Sequence, residues 1–311
     1  MEGAAPPSHE MRTGLRGVVV DECGAIHNSG QGCRTNKWSR DANRIKEETM
    51  AVMLKSRQEI AQLRESGRIV AETYEVLRPY VVPGTSTAEL DRIAEDYIRS
   101  KGAKPIYKGY GARPARNGLP AVPAFPATIC VAVNDVICHG IPSPKQILHE
   151  GDIIGIDIGV LYNGWVGDSC VTFAVGTIDS ESQRLLEVAQ RCMELGIEQA
   201  RPNKQLGDIG AAIQAYAESQ GFSTVREFVG HGVGRSLHED PQVPHYGHAG
   251  TGLRLRPGMV FTIEPMINAG GYQARVLADK WTVCTADGSR SAQFEHTIAI
   301  TEGAPELLTL P

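Results

Sequence analysis

The chain has 311 residues and a formal net charge of −5. This acidic balance gives no electrostatic reason to expect nucleic-acid binding, and hydropathy shows no apolar run of about eighteen residues that could cross a membrane. The seven cysteines include no C-x-x-C pair, which favours reduced, cytosolic thiols over a disulfide framework.

Residues 1–49 differ in composition from the rest of the chain. They hold few apolar residues beyond Val18-Val19-Val20, and seven basic side chains balance seven acidic ones. Such a segment cannot bury enough apolar surface to fold, so we expect it to be disordered and residues 50–311 to form the folded domain. One hypothesis is that translation begins at Met50 or Met53, and the alternative is a tail that binds a partner.

The first predicted elements are two amphipathic helices. Apolar residues recur at helical spacing from Lys55 to Leu77, where prolines follow. The second helix starts at a capping box, Ser86 to Glu89, and ends at Gly102. The proline-rich stretch 105–126 is then predicted to form an irregular loop near the functional site.

A β-hairpin is predicted next. Residues 153–161 are apolar and β-branched, and Asn163-Gly164 is a strong signal for a two-residue turn. In the register set by that turn Gly159 pairs with Asp168. Asp157 and Asp168 then share one face as diagonal neighbours, roughly 7 Å apart at the backbone. At that distance two carboxylates can share a pair of metal ions.

The second half of the chain repeats this organisation. A second helix pair is predicted over residues 182–221. Gly151 precedes Asp157 by six residues, as Gly258 precedes Glu264, with apolar residues between. We therefore expect two related α/β halves that each contribute carboxylates to a shared centre.

Five side chains are candidate ligands of one site for two divalent metals. Glu264 and Glu295 are predicted to lie within apolar strands, where a buried charge must be paired or bind metal. Four carboxylates and one imidazole suit Mn(II), Fe(II) or Co(II) at least as well as Zn(II). The candidate ligands are Asp157, Asp168, His231, Glu264 and Glu295.

Four segments resemble type I methionine aminopeptidases, which form subfamily A of peptidase family M24, over residues 50–311. The short spacing between His231 and Glu264 leaves no room for the insertion typical of type II members. The segments are Asn134–Pro142, Gly230–Arg235 with His238–Pro241, Phe261–Met266 and Ser291–Ile298.

The resemblance implies a fold, a reaction and partners. The fold would be the α/β (α+β) pita-bread fold, with two pseudo-symmetric halves around a dinuclear metal centre. The reaction would be removal of the initiator Met from nascent proteins with a small second residue, with two Co, Mn, Fe(II) or Zn ions per chain. The protein would be a cytoplasmic monomer, with the ribosome as a partner.

The resemblance also implies roles for the five candidate ligands. Asp157 would chelate one metal, Asp168 and Glu295 would bridge both, and His231 and Glu264 would complete the other. A bridging hydroxide would attack the first peptide bond, and Glu264 would shuttle a proton toward the leaving amine.

Five further residues match substrate-binding positions of the family. His139 and His238 would contact the substrate backbone and stabilise the tetrahedral intermediate rather than bind metal. Phe125, Cys130 and Trp281 would line a pocket for the unbranched thioether of Met.

Three positions depart from the pattern of many members. Gly159 replaces a Thr, Val166 replaces a His, and Leu237 replaces a pocket aromatic. The 105–126 loop is also longer than usual. These departures bear on metal affinity and substrate preference, not on the reaction.

Two alternative functions share the fold. A Xaa-Pro aminopeptidase or prolidase has the same ligand plan but usually carries a large folded N-terminal domain, which 49 polar residues cannot form. A non-catalytic module that binds the ribosome or RNA typically loses metal ligands and gains basic surface. A dinucleotide site at residues 230–234 is excluded because its glycine spacing is wrong.

Overall fold

The structure is a computed structural model that describes residues 52–116 and 121–311. The predicted disordered segment over residues 1–49 lies outside the described residues, as does Met50, and a translation start at Met50 or Met53 stays a hypothesis. Within the described ranges, no helix is long and apolar enough to cross a lipid bilayer.

Four α-helices and fifteen short strands make up this part of the chain. The helices are α1 (Arg57–Leu77), which continues as a 3₁₀ turn (Arg78–Tyr80), α2 (Thr87–Ser100), α3 (Ser180–Gln199) and α4 (Leu206–Ser219). The strands are β1 (Lys104–Pro105), β2 (Ile129–Val133), β3 (Val136–Cys138), β4 (Ile153–Tyr162), β5 (Trp165–Ala174), β6 (Ser223–Thr224), β7 (Gly230–Gly232), β8 (Glu239–Val243), β9 (Val260–Ile263), β10 (Met266–Asn268), β11 (Ala274–Val276), β12 (Val283–Thr285), β13 (Ser291–Gln293), β14 (His296–Ala299) and β15 (Glu306–Leu307).

The helices start where short polar side chains can cap them. Ser56 and Glu59 form a reciprocal capping box, so α1 begins two residues after the predicted Lys55. Ser86 accepts the Glu89 N–H at 3.2 Å and caps α2 as predicted. α3 begins two residues before the predicted start, because Asp179 rather than a later residue accepts the free N–H groups of its first turn.

The predicted hairpin is confirmed in its register. Asn163 and Gly164 have φ values of 49° and 78°, the positive values that a type I′ turn requires. Gly159 pairs with Asp168 as the turn predicts, and Asp157 pairs with Cys170. β4 also pairs with β1 and β2, which completes a four-stranded sheet.

The second half is built around a five-stranded sheet of order β15-β14-β9-β7-β8. The prediction that Glu264 and Glu295 lie within strands is wrong by one residue, since Glu264 follows β9 and Glu295 precedes β14. The backbone N–H groups of these two residues explain why each lies just outside its strand. That of Glu264 donates to His245 Nε2 at 3.0 Å, and that of Glu295 to the Cys170 carbonyl at 2.8 Å, so neither joins the adjacent ladder.

Each helix pair covers one apolar core. Val70 on α1 and Ile156 on β4 belong to a first buried cluster that α2 also joins. Ile213 on α4 and Phe261 on β9 belong to a second, which α3 joins. Burying such a side chain contributes roughly 1.5–3 kcal/mol. The two helix pairs therefore fix the β4–β5 hairpin of one half and the β7–β9–β14 strands of the other.

Candidate active site

One cavity receives every residue that the sequence predicted for the site. It is lined by the β4–β5 hairpin, by β7, by the residues that follow β9 and precede β14, and by Tyr107, Tyr110 and Phe125 of the 105–126 loop. The predicted residues that line it are Phe125, Cys130, His139, Asp157, Asp168, His231, His238, Glu264, Trp281 and Glu295.

Three carboxylates converge at the floor of the cavity. Asp157, Asp168 and Glu295 each offer an oxygen, and these oxygens lie within 4.8 Å of one another. Asp157 and Asp168 project from one face of the hairpin because they stand on the same side of its pleat. This spacing suits oxygen ligands around a divalent cation.

His231 adds a candidate nitrogen ligand to this group. Its Nδ1 lies 3.1 Å from the Gly232 carbonyl oxygen, which fixes the hydrogen on Nδ1 and leaves the Nε2 lone pair free. Nε2 lies 3.6 Å from Asp168 Oδ2 and 3.6 Å from Glu264 Oε1. A lone pair that faces two carboxylates at this distance fits a cation held between them.

The electrostatics of the carboxylate cluster also favour a bound cation. Burial raises the pKa of Asp168 to about 6 and raises the pKa values of Glu264 and Glu295 well above normal. Burial and the nearby Asp168 charge raise the pKa of Asp157 as well. Among the described residues, only His231 makes an ion-pair contact with these carboxylates, and burial lowers its pKa. Divalent cations would supply the missing positive charge.

Glu264 is held by side chains from three segments. The Thr262 hydroxyl donates to Glu264 Oε1 at 2.6 Å, and Gln293 Nε2 donates to Oε2 at 3.3 Å. His245 is buried, and its Nε2 accepts the Glu264 N–H at 3.0 Å. These contacts orient a ligand without occupying the cavity, as groups around metal ligands commonly do.

His139 and His238 stand beside the carboxylates as the sequence predicted. Burial lowers the pKa of each to about 4, so both imidazoles are neutral near pH 7. The His238 ring centroid lies 4.1 Å from that of His231, and its Nδ1 lies 2.6 Å from the Tyr110 hydroxyl. Both residues can therefore offer N–H donors to a bound carbonyl.

An apolar slot adjoins the carboxylates. Phe125 and Trp281 pack edge to face at 5.3 Å, and the Trp281 indole N–H donates to the Pro123 carbonyl at 2.9 Å. The buried Cys130 thiol adds a soft, polarisable wall. The slot thus joins an apolar side-chain pocket to a charged reaction centre.

Sequence reasoning missed two tyrosines of the site. The Tyr107 hydroxyl lies 2.5 Å from Asp157 Oδ1 and 2.5 Å from Asp168 Oδ1, and Tyr110 contacts His238. Both lie in the 105–126 loop that was predicted to lie near the site. Their hydroxyl contacts span 50 residues or more of sequence, so no local pattern indicates them.

The three positions that depart from the pattern of the family lie in different surroundings. Gly159 faces the Tyr107 ring, Val166 is buried in an apolar cluster with Leu63, and Leu237 lines the cavity. Val166 therefore offers packing and no ligand atom.

Comparison with known proteins identifies the family. The model of metallopeptidase family M24 matches residues 61–302. The chain is 50% identical to methionine aminopeptidase 1 of Bacillus subtilis over 258 residues, which cover 83% of this chain and 99% of that protein.

Solved structures give the same result. The crystal structure of methionine aminopeptidase from Rickettsia prowazekii matches with a TM-score of 0.78 at 41% identity, covering 83% of this chain and 100% of that one. The prolidase of Pyrococcus horikoshii matches with a TM-score of 0.62 at 23% identity, covering 83% of this chain and 63% of that one. At this identity the second match supports the shared fold.

The resemblance and the fold predicted from the sequence motifs are confirmed by these matches. A family of metallopeptidases accounts for the buried acidic cluster, because its chemistry requires divalent metal at such a site. With its α/β pita-bread architecture and its converging carboxylates, the chain belongs to metallopeptidase family M24.

Proposed function

We propose that this chain is a metal-dependent methionine aminopeptidase that removes the initiator Met from nascent proteins with a small second residue. The observation that carries the proposal is the apolar slot of Phe125, Cys130 and Trp281 directly beside the carboxylate cluster. Relatives that bear this name and share up to half of the sequence support it. Residues 50–311 would form the catalytic domain.

Two divalent ions would occupy the centre. Asp157 would hold one, Asp168 and Glu295 would bridge both, and His231 and Glu264 would hold the other. The spacing of the three carboxylates and the orientation of the His231 lone pair support this assignment. When bound, Co, Mn, Fe(II) or Zn ions would acidify water and polarise the scissile carbonyl.

The protein side chains would supply proton transfer and binding. Thr262 and Gln293 orient the two oxygens of Glu264, so this carboxylate can accept a proton from the attacking water and deliver it to the leaving amine. His139 and His238 are neutral donors beside the cluster and would stabilise the charge that develops on the carbonyl oxygen.

The pocket chemistry sets the substrate side chain. Aromatic edges and a buried thiol contact an unbranched thioether well. The buried Phe125 and Cys130 line the slot, which would hold the side chain of the first residue beside the carboxylates. The substrate partner would be the N-terminal Met of a new polypeptide. The enzyme would act in the cytoplasm as a monomer, with the ribosome as a partner.

The proposal is tested by turnover of Met-Ala-Ser and Ala-Pro-Ala on chelator-stripped protein reconstituted with Mn(II), Fe(II), Co(II) or Zn(II). Release of Met from the first peptide alone, dependent on added metal, is the expected result. Cleavage before Pro would assign the prolidase activity instead. No turnover with any metal would point to a non-catalytic binding role.

A further inference from the structure

The Tyr107 side chain connects the two aspartates of the hairpin. Tyr107 is buried, and its hydroxyl lies 2.5 Å from one carboxylate oxygen of Asp157 and 2.5 Å from one of Asp168. The two aspartates lie on adjacent strands, so a single hydroxyl spans the hairpin at the floor of the cavity.

The contact divides the two oxygens of Asp168 between different partners. Oδ1 faces the Tyr107 hydroxyl, whereas Oδ2 lies 3.6 Å from His231 Nε2. A carboxylate anchored through one oxygen cannot rotate freely, so its other oxygen stays directed toward the imidazole. The hydroxyl has one hydrogen and donates to one of the two aspartates at a time, and that hydrogen bond offsets part of the repulsion between Asp157 and Asp168.

Gly159 makes room for this arrangement. A Cβ atom at position 159 would lie 2.7 Å from Tyr107 Cε1, 2.9 Å from Tyr107 Cζ and 2.7 Å from Ile106 Cγ2, closer than carbon atoms pack. Residue 159 stands two positions after Asp157 and so points to the same face. The ring of Tyr107 and the side chain of Ile106 therefore fill the space that a side chain at position 159 would take.

The ring is fixed by its own packing. Tyr107 meets Phe125 edge to face, with ring centroids 6.5 Å apart, and Ile106 N–H donates to the Gly159 carbonyl at 3.1 Å. These contacts hold the loop against β4, so the hydroxyl position does not depend on a bound substrate.

We propose that Tyr107 is a positioning residue of the metal centre, which supplies from the loop a hydroxyl that Gly159 cannot supply from the strand. Its role is to hold Asp157 and Asp168 in the arrangement that binds metal. The inference rests on the proposed function only in taking these aspartates as metal ligands.

The test is metal affinity, measured by titration calorimetry with Mn(II) on chelator-stripped protein. We expect Tyr107→Phe to weaken Mn(II) binding about 10-fold, the lower end of the effect of removing a hydrogen-bond partner of a ligand. Tyr97→Phe is the matched control, because it removes a 2.9 Å tyrosine–carboxylate contact with Glu72 away from the cavity. The Mn(II) affinity of the Tyr97→Phe variant should equal that of the wild type.

A combined variant separates positioning from general packing. Tyr107→Ala and Ile106→Ala together with Gly159→Thr vacate the space that both side chains fill and place a hydroxyl on the same face, so Mn(II) affinity should recover to within about 3-fold of the wild type. The same two alanine substitutions combined with Gly159→Ala should not recover. Unchanged or tighter binding by Tyr107→Phe, or no Mn(II) binding by the wild type, would overturn the proposal. Tight, Tyr107-dependent binding without release of Met would overturn the proposed function alone.

Discussion

The Tyr110 hydroxyl lies 2.6 Å from Nδ1 of His238, which makes the loop tyrosine the partner of a predicted catalytic histidine. Burial lowers the pKa of His238 to about 4, so the ring is neutral and has one donor and one acceptor nitrogen. When Tyr110 donates to Nδ1, the hydrogen of the ring resides on Nε2. That nitrogen can then donate to a substrate carbonyl.

We predict that Tyr110→Phe lowers kcat about 10-fold and changes KM much less, because the donor tautomer of His238 is no longer enforced. Steady-state kinetics on Met-Ala-Ser with saturating metal would measure both constants. Tyr80→Phe, at an exposed tyrosine, is the control and should leave both unchanged. A loss seen in KM alone would argue that Tyr110 contributes only to substrate binding.

We predict that Asp168→Asn stabilises the metal-free protein while abolishing turnover. Burial raises the pKa of Asp168 to about 6, from 3.8, so the folded state holds its proton to higher pH than the unfolded chain. Stability from this group is therefore lost as pH rises from about 4 to about 6. Asn carries no charge and removes this penalty. We therefore expect the free energy of unfolding to increase by about 1–3 kcal/mol at pH 8, and the increase to shrink toward pH 4.

Urea denaturation of chelator-treated protein at both pH values would measure the difference. Asp96→Asn is the control, since Asp96 is exposed and should show no such gain. A less stable Asp168→Asn protein at pH 8 would contradict the electrostatic account of the site. Substantial turnover by the variant would rule out the bridging role of Asp168.

We predict that Lys55→Met destabilises the protein and slows catalysis. Lys55 Nζ lies 2.5 Å from Glu239 Oε2, and Glu239 Oε1 accepts the N–H groups of Arg235 and Ser236. The pair thus braces the loop that ends at His238. Removing the cation leaves a half-buried carboxylate without its partner, which costs about 2 kcal/mol.

Thermal and urea unfolding of the metal-loaded enzyme would measure the loss. Arg64→Met is the matched control, because it removes an ion pair with Glu306 that is exposed to solvent and should cost less than about 0.5 kcal/mol. Equal effects of the two substitutions would show that the Lys55 contact contributes no more than an ordinary surface pair.

We predict that Gly67→Ala destabilises the protein by about 1–3 kcal/mol, although alanine favours helices. A Cβ atom at position 67 of α1 would overlap the carbonyl oxygen of Leu308, so α1 and the backbone at Leu308 would have to move apart. Gly303→Ala is the control, since a Cβ atom there meets nothing within 4 Å. Equal unfolding midpoints for the two variants would show that the close approach of α1 to Leu308 is not required.

The sequence alone determined the features that depend on local geometry. The Asn163-Gly164 turn determined the register of the hairpin, and with it the shared face of Asp157 and Asp168, because side chains alternate along a strand. The helix cap at Ser86 also followed from Ser86 and Glu89, which lie three positions apart. The candidate ligands could be proposed from the sequence because they lie within recognisable local motifs, and the structure brings them to one cavity.

Tertiary structure decided the contacts that control how those residues act. Tyr107 meets Asp157 across 50 residues, Tyr110 meets His238 across 128, and Lys55 meets Glu239 across 184. Each requires loops and strands from different segments to pack together, and no periodicity in the chain specifies such a meeting. Local patterns therefore indicated which groups are candidates for binding and reaction, whereas long-range packing decided how each group is oriented.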